Sequence, residues 1–329
     1  MEFGLSEEQQ ELASIVRSLL AKRADSAAVR AAALSPPGYD PELWSTLVDQ
    51  VGAAALNIPE EYGGAGFSLF ESLVVLEEVG RSLAPTPLLS SLITSEAILA
   101  GGDTATMQRL LPRIAAGEVA ALVTGTAPAL DADRATVLLA ATPDSLIEVE
   151  PGTASVTPVG ALDQTLRLGT LDLTGATTTP AGDPGDAVRR ARQVRFVGVA
   201  ALQAGLAARA VTMTVAYTQG RVQFGRAIGS FQALKHRMAD MLVLQEMSRS
   251  ASWSASYAVA TGADNAEHLA HVAKSYCSDA LDRIAAETVQ LHGGIAITWE
   301  HDAQVVFKRA HALSQLFGQA HEHRALIRL

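Results

Sequence analysis

The chain has 329 residues, 48% of them apolar and 18% charged, with a net charge of −10. That length and apolar content exclude a disordered chain and allow a large core in two or three domains. The acidic balance speaks against nucleic acid or an anionic membrane as partner and leaves only local basic spots to hold a phosphate.

The first residues, Met1-Glu-Phe-Gly-Leu5-Ser-Glu-Glu, have neither a basic nor an apolar leader segment, so no signal peptide is expected. Ser6 reads as an N-cap ahead of acidic first-turn residues, and Leu12, Ile15, Val16, Leu19 and Leu20 then share one helical face. A second helix is expected over 41–53. The glycine-rich turn Ile58-Pro-Glu-Glu-Tyr62-Gly-Gly-Ala-Gly66 follows, then helices over 69–82 and 89–100 and one ending near Gly117. From about Ala120 to Pro184, Thr, Val, Gly and Pro in short apolar runs predict strands and turns. Helical periodicity returns at Asp186, with helices expected over 186–217, 231–261, 265–291, 301–312 and 319–328. The apolar stretch from Phe196 to Ala208, broken by Gln203 and ended by Arg209, is too short for a membrane span and reads as a buried helix. Cys277 is the sole cysteine, which rules out an intrachain disulfide and fits a reducing compartment. The reading is a mainly α chain with a small β domain: a helical domain over 1–120, a short β domain over 121–184 and a helical bundle over 185–329. The expected location is the cytoplasm.

Two segments carry chemistry. Tyr217-Thr-Gln-Gly-Arg221-Val-Gln-Phe224-Gly225, continued by Phe231-Gln232, joins two long helices. Its glycines permit a tight path, Arg221 offers a planar fork for phosphate oxygens, and Gln232 opens a helix whose free N–H groups favour an anion. Taken alone, this segment reads first as an ordinary helix–helix loop with a surface arginine. Gln290-Leu-His-Gly293-Gly294 closes the next long helix and, alone, is a glycine C-cap.

Together these segments resemble the C-terminal domain of the acyl-CoA dehydrogenases, as do Lys235-His236-Arg-Met-Ala-Asp240 and Thr298-Trp-Glu300. The resemblance extends to Leu5-Ser-Glu-Glu-Gln, Ile58-Pro-Glu-Glu-Tyr-Gly-Gly-Ala-Gly, Glu77-Glu-Val-Gly-Arg81 and Leu111-Pro, in that order. It implies a helical domain, a β domain and a four-helix bundle, assembled as a dimer of dimers. It also implies α,β-dehydrogenation of an acyl-CoA thioester, with FAD shared across a subunit interface and an electron-transfer flavoprotein as acceptor. By the same resemblance Arg221, Phe224, Gln232, Gln290, Gly293 and Gly294 would hold the pyrophosphate and adenosine side of the cofactor.

The departures are as specific. The two places where the family carries its catalytic glutamate align with Arg195 and Phe317, and no acidic residue lies between Asp302 and Glu322. The β region has no counterpart of the family's Gly-x-Lys-x-Trp-Ile-Thr segment, since the three tryptophans are Trp44, Trp253 and Trp299. The chain therefore resembles the shorter, base-lacking subunit of heterotetrameric actinobacterial acyl-CoA dehydrogenases of the steroid-degrading type, whose longer partner carries the glutamate. On this reading the chain has no catalytic residue of its own. Two alternatives stand beside it: a homotetramer using a displaced carboxylate (Asp240, Glu246 or Glu287), and a flavin-free scaffold. His268 with His271, and His321 with His323, read as solvated helix faces rather than a zinc site.

Overall fold

The computed structural model describes residues 4–327. They fall into two compact units, one made of the described residues up to 76 together with 84–195, the other of 77–83 and those from 196 on.

The first unit opens with α1 (Glu7–Arg23). Ser6 Oγ accepts from the Gln9 amide while the Gln9 side chain accepts from the Ser6 amide, a reciprocal cap that satisfies two orphan donors. A short helix absent from the sequence expectation follows, α2 (Ser26–Leu34), capped by Asp25. Asp40 caps α3 (Pro41–Val51), whose first residue is a proline fixed in a helical φ. The start of α4 (Leu69–Ser82), whose residues from Glu77 on belong to the second unit, and the helices α5 (Leu88–Gly101) and α6 (Thr104–Ala115) complete the helical part. α5 is buried almost all round, and its polar side chains are matched within the unit. Glu96 takes hydrogen bonds from Asn57 at 2.8 Å and Arg190 at 2.7 Å, and Ser90 donates to the Asp131 carboxylate at 2.7 Å.

The strands lie between these helices and the next. They are β1 (Ala120–Thr124), β2 (Ala129–Leu130), β3 (Val137–Ala141), β4 (Leu146–Val149), β5 (Ser155–Val159), β6 (Leu168–Asp172) and β7 (Thr178–Gly182). One sheet has the order β1-β3-β4-β7, with β1 and β3 parallel and the other pairs antiparallel; the second, β2-β6-β5, is antiparallel throughout. Ala121, Val123, Leu138, Ala140 and Val149 form a small core, whereas β5 is largely exposed.

α7 (Pro184–Gly220) runs through both units. It is long and apolar enough to cross a membrane by length and composition, beyond what the Phe196–Ala208 run alone suggested, and 83% of its apolar window is buried inside the protein. In the second unit it is joined by β8 (Val222–Gln223), β9 (Arg226–Ala227), α8 (Gln232–Thr261), α9 (Ala266–His292), α10 (Ala303–Gln315) and α11 (Ala320–Leu326). Residue 328, the expected end of the last helix, lies outside the described residues.

The last turns of α4 cross α7 with no side chain between the backbones. A Cβ on Gly80 would lie 2.2 Å from the Leu202 carbonyl oxygen, and one on Gly205 1.8 Å from that of Glu77. Beside this crossing Glu77 is buried, and its carboxylate accepts from Trp253 Nε1 at 2.7 Å. Burial raises the Glu77 pKa, an effect the Trp253 hydrogen bond opposes. The Glu77-Glu-Val-Gly-Arg81 motif is thus a docking device: a carboxylate for Trp253, a glycine for close approach, and Arg81 paired to Glu78 at 3.2 Å.

Candidate functional site

α7 ends at Gly220, and Arg221 continues its path, its amide donating to the Tyr217 carbonyl at 2.9 Å. The chain then forms a two-stranded hairpin in which Val222 pairs with Ala227 and Gln223 with Arg226. Phe224 and Gly225 make the turn with φ of 53° and 77°. Two central residues with positive φ are what a two-residue hairpin turn of the I′ type needs, so Gly225 serves here as a turn residue. The Phe224 side chain is 90% exposed. Arg226 lies over the Phe231 ring at 4.0 Å, and Phe231 precedes Gln232, the first residue of α8. Arg221 and Gln232 are exposed.

The second segment closes α9. Gln290 is exposed, His292 is the last helical residue, and Gly293 is the C-cap with φ of 66°, its amide donating to the Val289 carbonyl. An added Cβ at Gly293 or Gly294 would meet nothing within 4 Å. The turn therefore presents bare backbone to open space, which is what close approach of a large ligand requires.

The two segments are brought together by contacts that the sequence does not show. The rings of Tyr217 and His292 stack with centroids 4.4 Å apart, and His301 lies 4.6 Å from His292 on another side. One turn back, Thr214 Oγ1 donates to Thr288 Oγ1 at 3.1 Å. Helical spacing could have flagged Tyr217, one turn before Arg221, but the sequence holds no sign that it meets His292. Arg221, Phe224, Gln232, Gln290, Gly293 and Gly294 thus lie on two adjoining turns of one unit, with basic Arg226, Lys235 and His236 close in sequence. Exposed arginine, bare glycine backbone and the open first turn of α8 suit a dinucleotide pyrophosphate.

The positions aligned with the family's glutamate are differently built. Arg195 Nη1 donates to Thr124 Oγ1 at 2.9 Å and Nη2 to the Leu122 carbonyl at 3.4 Å, both on β1. Burial lowers its pKa to about 10, which still leaves a full positive charge at neutral pH. Phe317 stands in the turn between α10 and α11 with a left-handed φ of 61°. Its carbonyl accepts from His323 Nε2 at 3.1 Å, and His323 Nδ1 lies 2.8 Å from His271 Nδ1. Buried Lys274 donates to the Ser314 and Gly318 carbonyls at 3.2 and 2.9 Å, fixing the same turn. The expected solvated faces do not hold for His271 and His323: both are buried, because they pair with each other across two helices. Of the displaced carboxylates, Glu246 pairs with Arg249 at 2.5 Å and Glu287 with Arg237 at 2.6 Å, while Asp240 is exposed.

Family models match both helical regions: the acyl-CoA dehydrogenase N-terminal domain over residues 6–118 and the C-terminal domain over 190–328. The acyl-CoA dehydrogenase IpdE2 of Mycolicibacterium smegmatis is 44% identical over 318 residues, covering 97% of each chain. IpdE2 of Mycobacterium tuberculosis is 44% identical over 317 residues, covering 96% of this chain and 95% of that one. A solved Tcur3481–Tcur3483 steroid ACAD variant superposes with a TM-score of 0.90 at 28% identity, over 98% of this chain and 96% of that one. The ChsE4–ChsE5 complex from Mycobacterium tuberculosis shares the fold, with a TM-score of 0.91 at 24% identity over 99% and 98% of the two chains. With matches over both helical regions and along nearly its whole length, the chain belongs to the acyl-CoA dehydrogenase family.

Proposed function

We propose that this chain is the cofactor-gripping, base-lacking subunit of a heteromeric FAD-dependent acyl-CoA dehydrogenase that acts on a steroid-derived CoA thioester. The observation that carries the reading is Arg195: a guanidinium tied to Thr124 and Leu122 stands where the family aligns its carboxylate. A permanent cation cannot accept the α proton, and loss of a general base costs on the order of 10²–10⁴ in rate. Similarity to the Tcur3481–Tcur3483 steroid ACAD and to the ChsE4–ChsE5 complex, each a pairing of two differently named chains, supports the heteromeric and steroid parts.

Dehydrogenation removes a proton from Cα and a hydride from Cβ of the thioester. FAD, when bound, supplies the hydride acceptor. Arg221 would neutralise pyrophosphate charge, the open first turn of α8 at Gln232 would add N–H donors, and Gln290 with Gly293 and Gly294 would let backbone approach the adenosine side. Phe224, held outward by its turn, would cover the bound dinucleotide. The proton would pass to a glutamate on a longer partner subunit, and electrons would leave to an electron-transfer flavoprotein. A cytoplasmic location completes the reading, and cell fractionation tests it.

The experiment is to purify the full chain alone and together with a longer acyl-CoA dehydrogenase subunit, and to record the flavin absorbance of each. Flavin confined to the complex, and lost with Arg221→Ala, is the expected result. A fully flavinated, active lone chain would favour a homotetramer with a displaced base, although Glu246 and Glu287 are both held in ion pairs. A colourless complex would favour the scaffold.

A further inference from the structure

We infer that the stacked rings of Tyr217 and His292 are the positioning device that sets the separation of the Arg221 hairpin from the Gly293–Gly294 turn. The inference rests on reading that surface as the FAD-gripping half-site. Each ring sits one step from a candidate contact. The Arg221 amide is anchored to the Tyr217 carbonyl at 2.9 Å, and Gly293 directly follows His292. The two helix ends cannot slide or splay without parting rings whose centroids are 4.4 Å apart and only 28° from parallel.

His292 is built for this role rather than for proton transfer. It is 3% exposed, and its Nδ1 donates to the Thr288 carbonyl at 2.7 Å, which fixes the tautomer and the ring plane. Among the described residues its Nε2 is buried with no hydrogen-bond partner, so a proton there would find no acceptor in them. Burial accordingly lowers its pKa, with His301 acting in the same direction against the Thr288 hydrogen bond. A neutral ring with one nitrogen committed and the other silent offers a flat face and little else. That face meets Tyr217, and His301 packs close by at 4.6 Å. Thr214 and Thr288 join the same two helices one turn deeper, so the stack works as the outer of two rungs.

The test uses the full chain co-purified with its longer subunit, stripped of flavin and titrated with FAD, following flavin fluorescence. Tyr217→Leu and His292→Leu fill most of the volume without a ring and should weaken FAD binding about three- to tenfold. Tyr217→Phe and His292→Phe keep a ring and should stay within about twofold of the parent. The melting midpoint of the flavin-free complex should be the same in each Leu and Phe pair. Leu variants that bind FAD as the parent does, while Arg221→Ala loses it, would overturn the positioning role and leave the surface reading intact. If Arg221→Ala also binds normally, the surface reading falls and the inference with it. A loss common to Leu and Phe variants, tracking the flavin-free midpoint, would reduce the stack to ordinary packing and overturn the inference.

Discussion

Replacing Trp253 with Phe isolates one buried interaction and gives it a pH signature. The indole Nε1 donates to the Glu77 carboxylate at 2.7 Å, and Glu77 is only 7% exposed. Phe keeps most of the ring, including its place near Arg249, which lies 5.1 Å over the indole, but it has no donor. Hydrogen bonds to charged groups contribute about 1.5–3 kcal/mol, so the variant should lose about 2 kcal/mol at pH 7. Burial already raises the Glu77 pKa above its ordinary 4.5, and losing the Trp253 hydrogen bond raises it further. A carboxyl raised in the folded state contributes stability that is fully present below its unfolded pKa and is lost as pH rises through the folded one. The deficit of the variant should therefore shrink, by roughly 1 kcal/mol, as pH falls from 7 to 4 and Glu77 takes up its proton, because a neutral hydrogen bond is weaker than a charged one. Urea unfolding of parent and variant at both pH values measures this. An equal loss at the two values would refute the reasoning, because it would mean that the charge of Glu77 takes no part.

Three further outcomes are expected. Arg195→Glu should not create a working base: it sets a carboxylate against the Leu122 carbonyl and should cost about 2–4 kcal/mol, visible as a lower melting midpoint, whereas Arg195→Gln should cost less. Cys277, fully buried and pushed up to about 12, should react with a thiol reagent at neutral pH only after the chain unfolds. Lys274, lowered by burial to about 8 against an ordinary 10.5, binds fewer protons folded than unfolded between those values, so stability should rise with pH across that interval. Lys274→Met should flatten that rise while weakening the turn after α10, where the Ser314 and Gly318 carbonyls lose their donor; pH-resolved unfolding of both proteins checks it.

Elements with strong punctuation were legible in the sequence. α4 runs from Leu69 to Ser82 as read, because a glycine-rich turn precedes it and Pro85 and Pro87 follow. α2 escaped because nine mostly alanine residues carry little periodicity, and its only signal is the Asp25 cap. The hairpin after Arg221 looks like a plain loop in the sequence, since two-residue strands leave no alternating pattern and its turn places a phenylalanine, not a glycine, at the first positive φ. Arg221, Gln290 and their glycines were visible through motif spacing. Tyr217 against His292, Arg195 against Thr124 and His271 against His323 were not, because each is a contact between residues far apart in the chain. A lone sequence shows which residues recur on one helix face, but not which face of another helix they will meet.

The crossing of α4 and α7 bears on how this protein can change over generations. At Gly80 and Gly205 backbone rests against backbone, and any side chain would fall within 2.2 Å of a carbonyl oxygen. Neither position can be traded for a change at the other, since each glycine faces main chain and no substitution removes a carbonyl. In a library that randomises α7 and is selected only for folded protein, residue 205 should come back as glycine in nearly every survivor while exposed positions of the same helix, such as Thr212 and Ala216, drift freely. The two helices thus hold a pair of fixed letters that owe nothing to catalysis, and they would persist in a descendant that had lost its flavin altogether.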